Sequence, residues 1–174
     1  IIFYKHQWVF KRQISIEKAK ILKGLTNDNI NVVVVFVNEE IEKIIDIVNS
    51  NIIDTIQLHG SENDNYIKLL REYTNKKIIK AFNIRTFHDL IKANQSSADY
   101  VLLDNGTGGT GEKFDWEIIN TINKEFFLAG GINQNNIKKA IKFNPFAIDV
   151  SSGVEVNGYK DYKKMCKIIE LLRE

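Results

Sequence analysis

Short apolar runs, mostly β-branched, alternate along the chain with stretches whose apolar residues recur every three or four positions. The runs predict strands over 1–4, 31–37, 55–58, 77–82, 99–103, 125–129 and 147–150. They are nearly continuously apolar, as in Val33-Val34-Val35-Phe36 and Tyr100-Val101-Leu102-Leu103, the pattern of parallel strands covered on both faces. Between them, one-sided helical faces are predicted at Ile41, Ile44, Ile45 and Val48, and at Tyr66, Leu69, Leu70 and Tyr73. Two more are predicted at Trp116, Ile119 and Ile122, and at Tyr162, Met165, Cys166, Ile169 and Leu172. Asn38 ahead of Glu39-Glu40 reads as a helix cap followed by two carboxylates in the first turn.

This alternation implies right-handed crossovers and a parallel α/β sheet. The 174 residues contain no linker and no low-complexity segment, and they suffice for one domain with its own core. Seven strand–helix units can be counted. A closed (β/α)₈ barrel needs eight, whereas an open doubly wound sheet accepts seven, so both architectures remain open at this point.

Composition narrows the function classes. With 24 basic and 22 acidic residues the net charge is +2, which predicts no nucleic-acid partner and no anionic-membrane partner. The clusters Lys76-Lys77-Lys80 and Lys160-Lys163-Lys164-Lys167 read as solvated faces. The single cysteine, Cys166, excludes an internal disulfide and a cysteine-based zinc site, and its place on an apolar stripe reads as a buried structural thiol. His6, His59 and His88 form no metal constellation, so the expectation is no metal. No apolar run has the length of a bilayer span and no secretory signal opens the chain, giving an expected cytoplasmic location.

The informative residues follow strand ends, where α/β folds bind ligands. Leu128-Ala129-Gly130-Gly131-Ile132 and Asp149-Val150-Ser151-Ser152-Gly153-Val154-Glu155 end the last two predicted strands. Adjacent glycines and small hydroxyl residues let backbone amides approach an anion, and donor-rich loops in these two positions are a recurrent phosphate site. Two ordinary turns are the plain alternative. Asp104 ends the strand over 99–103. A partly desolvated carboxyl there is raised toward neutral pH and can donate a proton, but a turn cap fits its position equally well. The run Gly106-Thr107-Gly108-Gly109-Thr110-Gly111 has dinucleotide-site spacing but opens no helix, and reads as an active-site loop. In Gln57-Leu58-His59-Gly60, His59 is placed to face the mouth of the sheet.

Taken in order, Gln57-Leu58-His59-Gly60, Leu103-Asp104 through Gly111 with Phe114-Asp115-Trp116, Leu128 to Ile132, and Asp149 to Glu155 resemble the motifs of the phosphoribosylanthranilate isomerase family. The resemblance implies an α/β (β/α)₈ TIM barrel with only strands 2–8 represented in this chain. It also implies a single isomerase-like domain over 1–174, N-terminally incomplete. The implied reaction is the Amadori rearrangement of N-(5-phosphoribosyl)anthranilate to 1-(2-carboxyphenylamino)-1-deoxyribulose 5-phosphate in tryptophan biosynthesis, with no cofactor. It makes Asp104 the general acid and places the phosphate against Gly130, Gly131, Ser151, Ser152 and Gly153. Asp149 and His59 would line the substrate pocket, and Arg12 would pair with the anthranilate carboxylate. The implied partner is this phosphorylated sugar–anthranilate substrate; the assemblies considered are a homo-oligomer and a fusion with another tryptophan-pathway enzyme.

Two departures accompany the resemblance. The family's general base is a cysteine on strand one, and no such segment occurs here; Ile1 to Tyr4 resembles strand two. The loop before Arg12 is longer than the family's, with His6-Gln7-Trp8-Val9-Phe10 inserted. The expectation is therefore a piece of a longer product, with little turnover by the chain as given. The alternative is a non-catalytic phosphate-binding or interaction module. Other phosphate-binding barrels, an indole-glycerol-phosphate synthase or a pentose-phosphate epimerase, would need catalytic lysine and glutamate or metal ligands that are not evident at these strand ends.

Overall fold

The computed structural model describes residues 2–4, 14–104 and 116–173, the first three as backbone. Arg12, His6 and the glycine-rich run from Gly106 to Gly111 lie outside the described residues. The β-branched runs become seven strands: β1 (Ile2–Tyr4), β2 (Val33–Phe36), β3 (Thr55–Leu58), β4 (Lys77–Asn83), β5 (Tyr100–Asp104), β6 (Phe126–Leu128) and β7 (Ala147–Ile148). Helices α1 (Ile16–Leu25), α2 (Ile41–Asn49), α3 (Asp64–Arg71) and α4 (Phe87–Gln95) follow the first four strands. A 3-10 helix (Trp116–Thr121) and the short α5 (Ile137–Ala140) come next. A two-stranded hairpin, β8 (Glu155–Val156) and β9 (Tyr159–Lys160), then leads into α6 (Tyr162–Arg173).

The chain divides into two units, residues 1–81 with 96–100, and residues 82–95 with 101–174. In the first, β1 to β4 pair in sequence order and in parallel, with Val34 opposite both Ile2 and Ile56, and Ile56 opposite Ile78. Its core is mostly aliphatic around Phe36: Phe36, Ile44, Ile53, Ile56, Leu58, Leu70 and Ile78 are fully buried. In the second, β5, β6 and β7 are parallel neighbours, with Leu103 opposite Leu128 and Leu128 opposite Ile148. Its core holds Leu90, Val101, Leu103, Trp116, Ile119, Leu128 and Ile137.

Ion clamps brace the amino-terminal ends of strands in the first unit. Asp54, just ahead of β3, accepts from Lys23 Nζ at 2.6 Å and from the Val32 amide at 2.8 Å. Asp99, just ahead of β5, accepts from the Ile78 amide and Lys77 Nζ, both at 2.9 Å, and pairs with the Arg71 guanidinium. Burial pushes the Asp99 carboxyl up, but these three partners outweigh it and hold the carboxyl below its ordinary value.

Several expectations from the pattern are corrected. On α3 the buried residues are Ile67 and Leu70, while Leu69 and Tyr73 are exposed. On α6 only Ile168 is buried and Leu171 packs against the core, leaving Tyr162, Met165, Ile169 and Leu172 exposed and Cys166 only partly covered. The stretch after Trp116 is a 3-10 helix: Trp116, Ile119 and Ile122 are spaced by three, which three residues per turn place on one edge. Asn38 is not the cap of α2. It takes the left-handed conformation, φ 52°, and the cap position falls to Glu40, without a side-chain hydrogen bond.

Candidate active site

In the second unit, the carboxyl ends of three adjacent strands are brought side by side by ladder hydrogen bonds. The Ala129 amide donates to Leu103 O and the Asp149 amide to Leu128 O, both at 2.9 Å. Asp104 therefore ends β5 beside Ala129-Gly130, and Asp149 follows β7 on the other side of the same turn. Asp104 is half-buried, and its carbonyl accepts from the Ile84 amide at 2.8 Å, which anchors the strand end.

The two loops proposed to grip an anion are built against each other. Gly130 and Gly131 have φ of 89° and 64°, values a side chain would oppose, so the turn after β6 depends on glycine. The Gly131 carbonyl is held by the side-chain amides of Asn133 at 3.0 Å and Asn136 at 3.1 Å. That fixes the orientation of the peptide that follows it. Gly153 lies so close over this turn that a β-carbon on it would collide with the Ile132 carbonyl oxygen. Only a residue without a side chain allows the Ser151-Ser152-Gly153 segment to approach the Gly130-Gly131 turn this closely.

In the first unit, His59 stands just past β3, exposed, with its amide donating to Phe36 O at 2.8 Å. Its Nδ1 lies 3.0 Å from Nε2 of the buried Gln57. This contact between the ring nitrogen and the side-chain amide orients the imidazole past the end of β3.

Beneath His59 lies an ionic cluster that the sequence pattern concealed. Glu62 accepts from the Asn38 amide at 2.6 Å, the Gly60 amide at 2.8 Å and Lys80 Nζ at 2.9 Å. Lys80 also donates to the Gly60 carbonyl at 2.7 Å. Both side chains are almost fully buried, so Lys80 is not part of a solvated face. A β-carbon on Gly60 would run into Asn38, which itself accepts from the Ser61 amide at 2.6 Å. Next to this cluster, burial together with Glu62, Glu39 and Glu42 pushes the Tyr66 hydroxyl above its ordinary value. It stays protonated and donates to the Glu39 carbonyl at 2.6 Å.

In the second lysine cluster Lys160 and Lys163 are exposed, as the pattern implies, but Lys160 also donates to the Ser151 carbonyl and half-buried Lys164 to the Glu155 carbonyl. Among the described residues no group of histidine, cysteine and carboxylate side chains could hold a metal ion, and no helix is long and apolar enough to cross a membrane.

Parallel strands in sequence order, with the candidate polar residues past their carboxyl ends, define an α/β protein of the TIM-barrel kind. The chain belongs to the N-(5'-phosphoribosyl)anthranilate isomerase family, whose sequence model, described as N-(5'phosphoribosyl)anthranilate (PRA) isomerase, matches residues 4–171. A relative of that name from Endomicrobium trichonymphae is 39% identical over 168 residues, covering 94% of this chain and 82% of its own length. A crystal structure of monomers generated from the dimeric phosphoribosylanthranilate isomerase of Thermotoga maritima superposes with a TM-score of 0.81 at 30% identity, over 99% of this chain and 85% of that one. Another phosphoribosyl anthranilate isomerase was solved in complex with reduced 1-(o-carboxyphenylamino)-1-deoxyribulose 5-phosphate. It gives a TM-score of 0.79 at 33% identity, over 94% and 81% of the two chains. The fold is thus the TIM-barrel-like α/β fold of these structures, and the chain is an enzyme, an isomerase of tryptophan biosynthesis.

Proposed function

We propose that the chain rearranges N-(5-phosphoribosyl)anthranilate to 1-(2-carboxyphenylamino)-1-deoxyribulose 5-phosphate, with Asp104 as the general acid. Asp104 protonates the ribose ring oxygen and the ring opens to a Schiff base. Loss of the C2 proton then gives an enolamine, which tautomerises to the ketone. The phosphate is held by the amides and hydroxyls of Gly130, Gly131, Ser151, Ser152 and Gly153, and Asp149 flanks the sugar. His59 and Arg12 are assigned to the remainder of the substrate by the family's motifs, Arg12 to the anthranilate carboxylate. In this reading β1 to β7 correspond to strands two to eight of a (β/α)₈ barrel. Residues 1–174 belong to one domain, in keeping with a family match that runs through both units.

The observation that carries the proposal is the alignment of Asp104, the Gly130-Gly131 turn and the Ser151–Gly153 segment on neighbouring strand ends. It puts a proton donor next to two sets of backbone amides, the arrangement that acid-assisted opening of a phosphorylated sugar requires. No base is assigned among these residues, since the single cysteine, Cys166, lies in α6.

Growth of a tryptophan auxotroph lacking this isomerase tests the assignment of Asp104. The chain preceded by a strand–helix segment with a cysteine at its strand end is expected to restore growth. The same protein with Asp104→Asn is expected not to, while still binding inorganic phosphate. Growth with Asp104→Asn would remove Asp104 from the acid role.

A further inference from the structure

Beyond the motif itself, the chain carries a hairpin that folds back on the candidate phosphate loop. Asn157 and Gly158, with φ of 52° and 82°, make the tight turn between β8 and β9, and Glu155 pairs with Lys160 across the hairpin. The turn returns Lys160 to the loop after β7. Its Nζ donates to the Ser151 carbonyl at 2.8 Å and to Glu155 Oε1 at 2.8 Å, with a longer contact to Ser151 Oγ at 3.4 Å. The base of the hairpin is locked as well: the Asp161 amide donates to Val154 O at 2.8 Å, and Lys164 Nζ to Glu155 O at 2.8 Å.

We infer that Lys160 is a positioning residue for the phosphate ester, acting through the Ser151–Ser152 peptide; the inference rests on the phosphate assignment made above. All three ammonium protons are directed to Ser151 and Glu155, so Lys160 is not itself a ligand of the anion. Its charge is largely balanced by the Glu155 carboxylate, so long-range attraction is not its contribution. What it controls is direction. The Ser151 carbonyl and the Ser152 amide belong to one planar peptide and point opposite ways. Holding the oxygen therefore aims the N–H, and an ammonium on the oxygen also polarises the peptide and strengthens the N–H as a donor. Ser151 itself, with φ −108° and ψ −88°, lies in neither the helical nor the extended region, so its neighbours rather than a regular ladder set this peptide.

The test is a titration with inorganic phosphate, following the amide ¹⁵N–¹H resonances of Ser152 and Gly153. Lys160→Met is expected to raise the dissociation constant about tenfold, the size of one charge-assisted hydrogen bond. It should also move the Ser152 amide resonance before any phosphate is added. Lys160→Arg, which keeps a charged donor, is expected to restore binding to within about threefold of the parent. Lys163→Met removes the same charge from an exposed site and is expected to leave binding unchanged. If Lys160→Met lowers the melting temperature, Lys160→Gln serves in its place and should weaken phosphate as well. Unaltered binding in Lys160→Met, or equal weakening by Lys163→Met, overturns the inference while leaving the phosphate site standing. Absence of phosphate binding in the parent chain overturns the site and this inference together.

Discussion

Lys80 and Glu62 show what one buried charge pair does at a strand end. Both ions are almost fully buried, and each is also held by backbone: Glu62 by the Asn38 and Gly60 amides, Lys80 by the Gly60 carbonyl. Together they fasten the loop after β2 to the loop after β3, immediately beside His59. Lys80→Met leaves the Glu62 carboxylate buried and unpaired, and is expected to cost about 3 kcal/mol of stability, read from urea unfolding. The double replacement Lys80→Met with Glu62→Leu should recover part of that loss, since the stranded charge is gone. Lys80 escapes a reading from composition because its neighbour Lys77 is exposed at the start of β4, with the partly exposed Lys76 just ahead of the strand. The two-residue period of the strand then puts Lys80 on the same buried face as Ile78.

The elements were more legible than the faces they bury. All seven strands, with α2, α3 and α6, are visible in the spacing of apolar residues, because parallel strands need apolar cover on both sides, whereas α1, α4 and α5 are not among the predicted faces. The phase of a helix is less so. On α6 the stripe of Tyr162, Met165, Ile169 and Leu172 is as apolar as the stripe actually used, which runs through Ile168 and Leu171. Only the contacts with α5 and the turn at Ser152–Val154 select between them. Capping is local and could be tested locally. Asn63 Oδ1 accepts from the Tyr66 amide at 2.9 Å at the start of α3, and Asn63→Ala is expected to cost about 1 kcal/mol, measured as a shift in denaturation midpoint. Glu40, the cap residue of α2, makes no capping bond with its side chain, so Glu40→Ser is expected to be neutral or stabilising in the same measurement.

Across the molecule, work is divided between the two ends of the strands. Carboxylates at the amino-terminal ends, Asp54 and Asp99, brace the fold. The groups past the carboxyl ends, Asp104, Asp149 and the two glycine–serine turns, are the ones assigned to substrate. For Asp54, as for Asp99, burial acts upward, and the Lys23 ammonium and Val32 amide more than offset it, leaving the carboxyl below its ordinary value. A carboxyl depressed in the folded state stabilises fully above its unfolded value, near pH 4, and that contribution is lost as pH falls through the folded value. Melting temperature is therefore expected to hold from neutral pH to about 5 and to fall steeply below about 4. Asp99→Asn should lower stability at neutral pH and flatten this acid limb. A limb as steep as the parent's would show that Asp99 does not contribute to it.

What the sequence determined by itself was the class of fold and the family, together with the candidate motifs at strand ends. The period of the apolar residues fixes strand and helix, and the short donor-rich motifs at strand ends need no knowledge of their neighbours to be recognised, because each is a local backbone requirement. The tertiary structure alone decided which helical face is buried, that Lys80 is buried rather than solvated, that Lys160 is tied to the Ser151 carbonyl, and that Gly153 must lack a side chain to fit over the Ile132 carbonyl. These are relations between residues far apart in the chain. Their energies depend on which atoms meet once water is excluded, and spacing along the chain does not encode that.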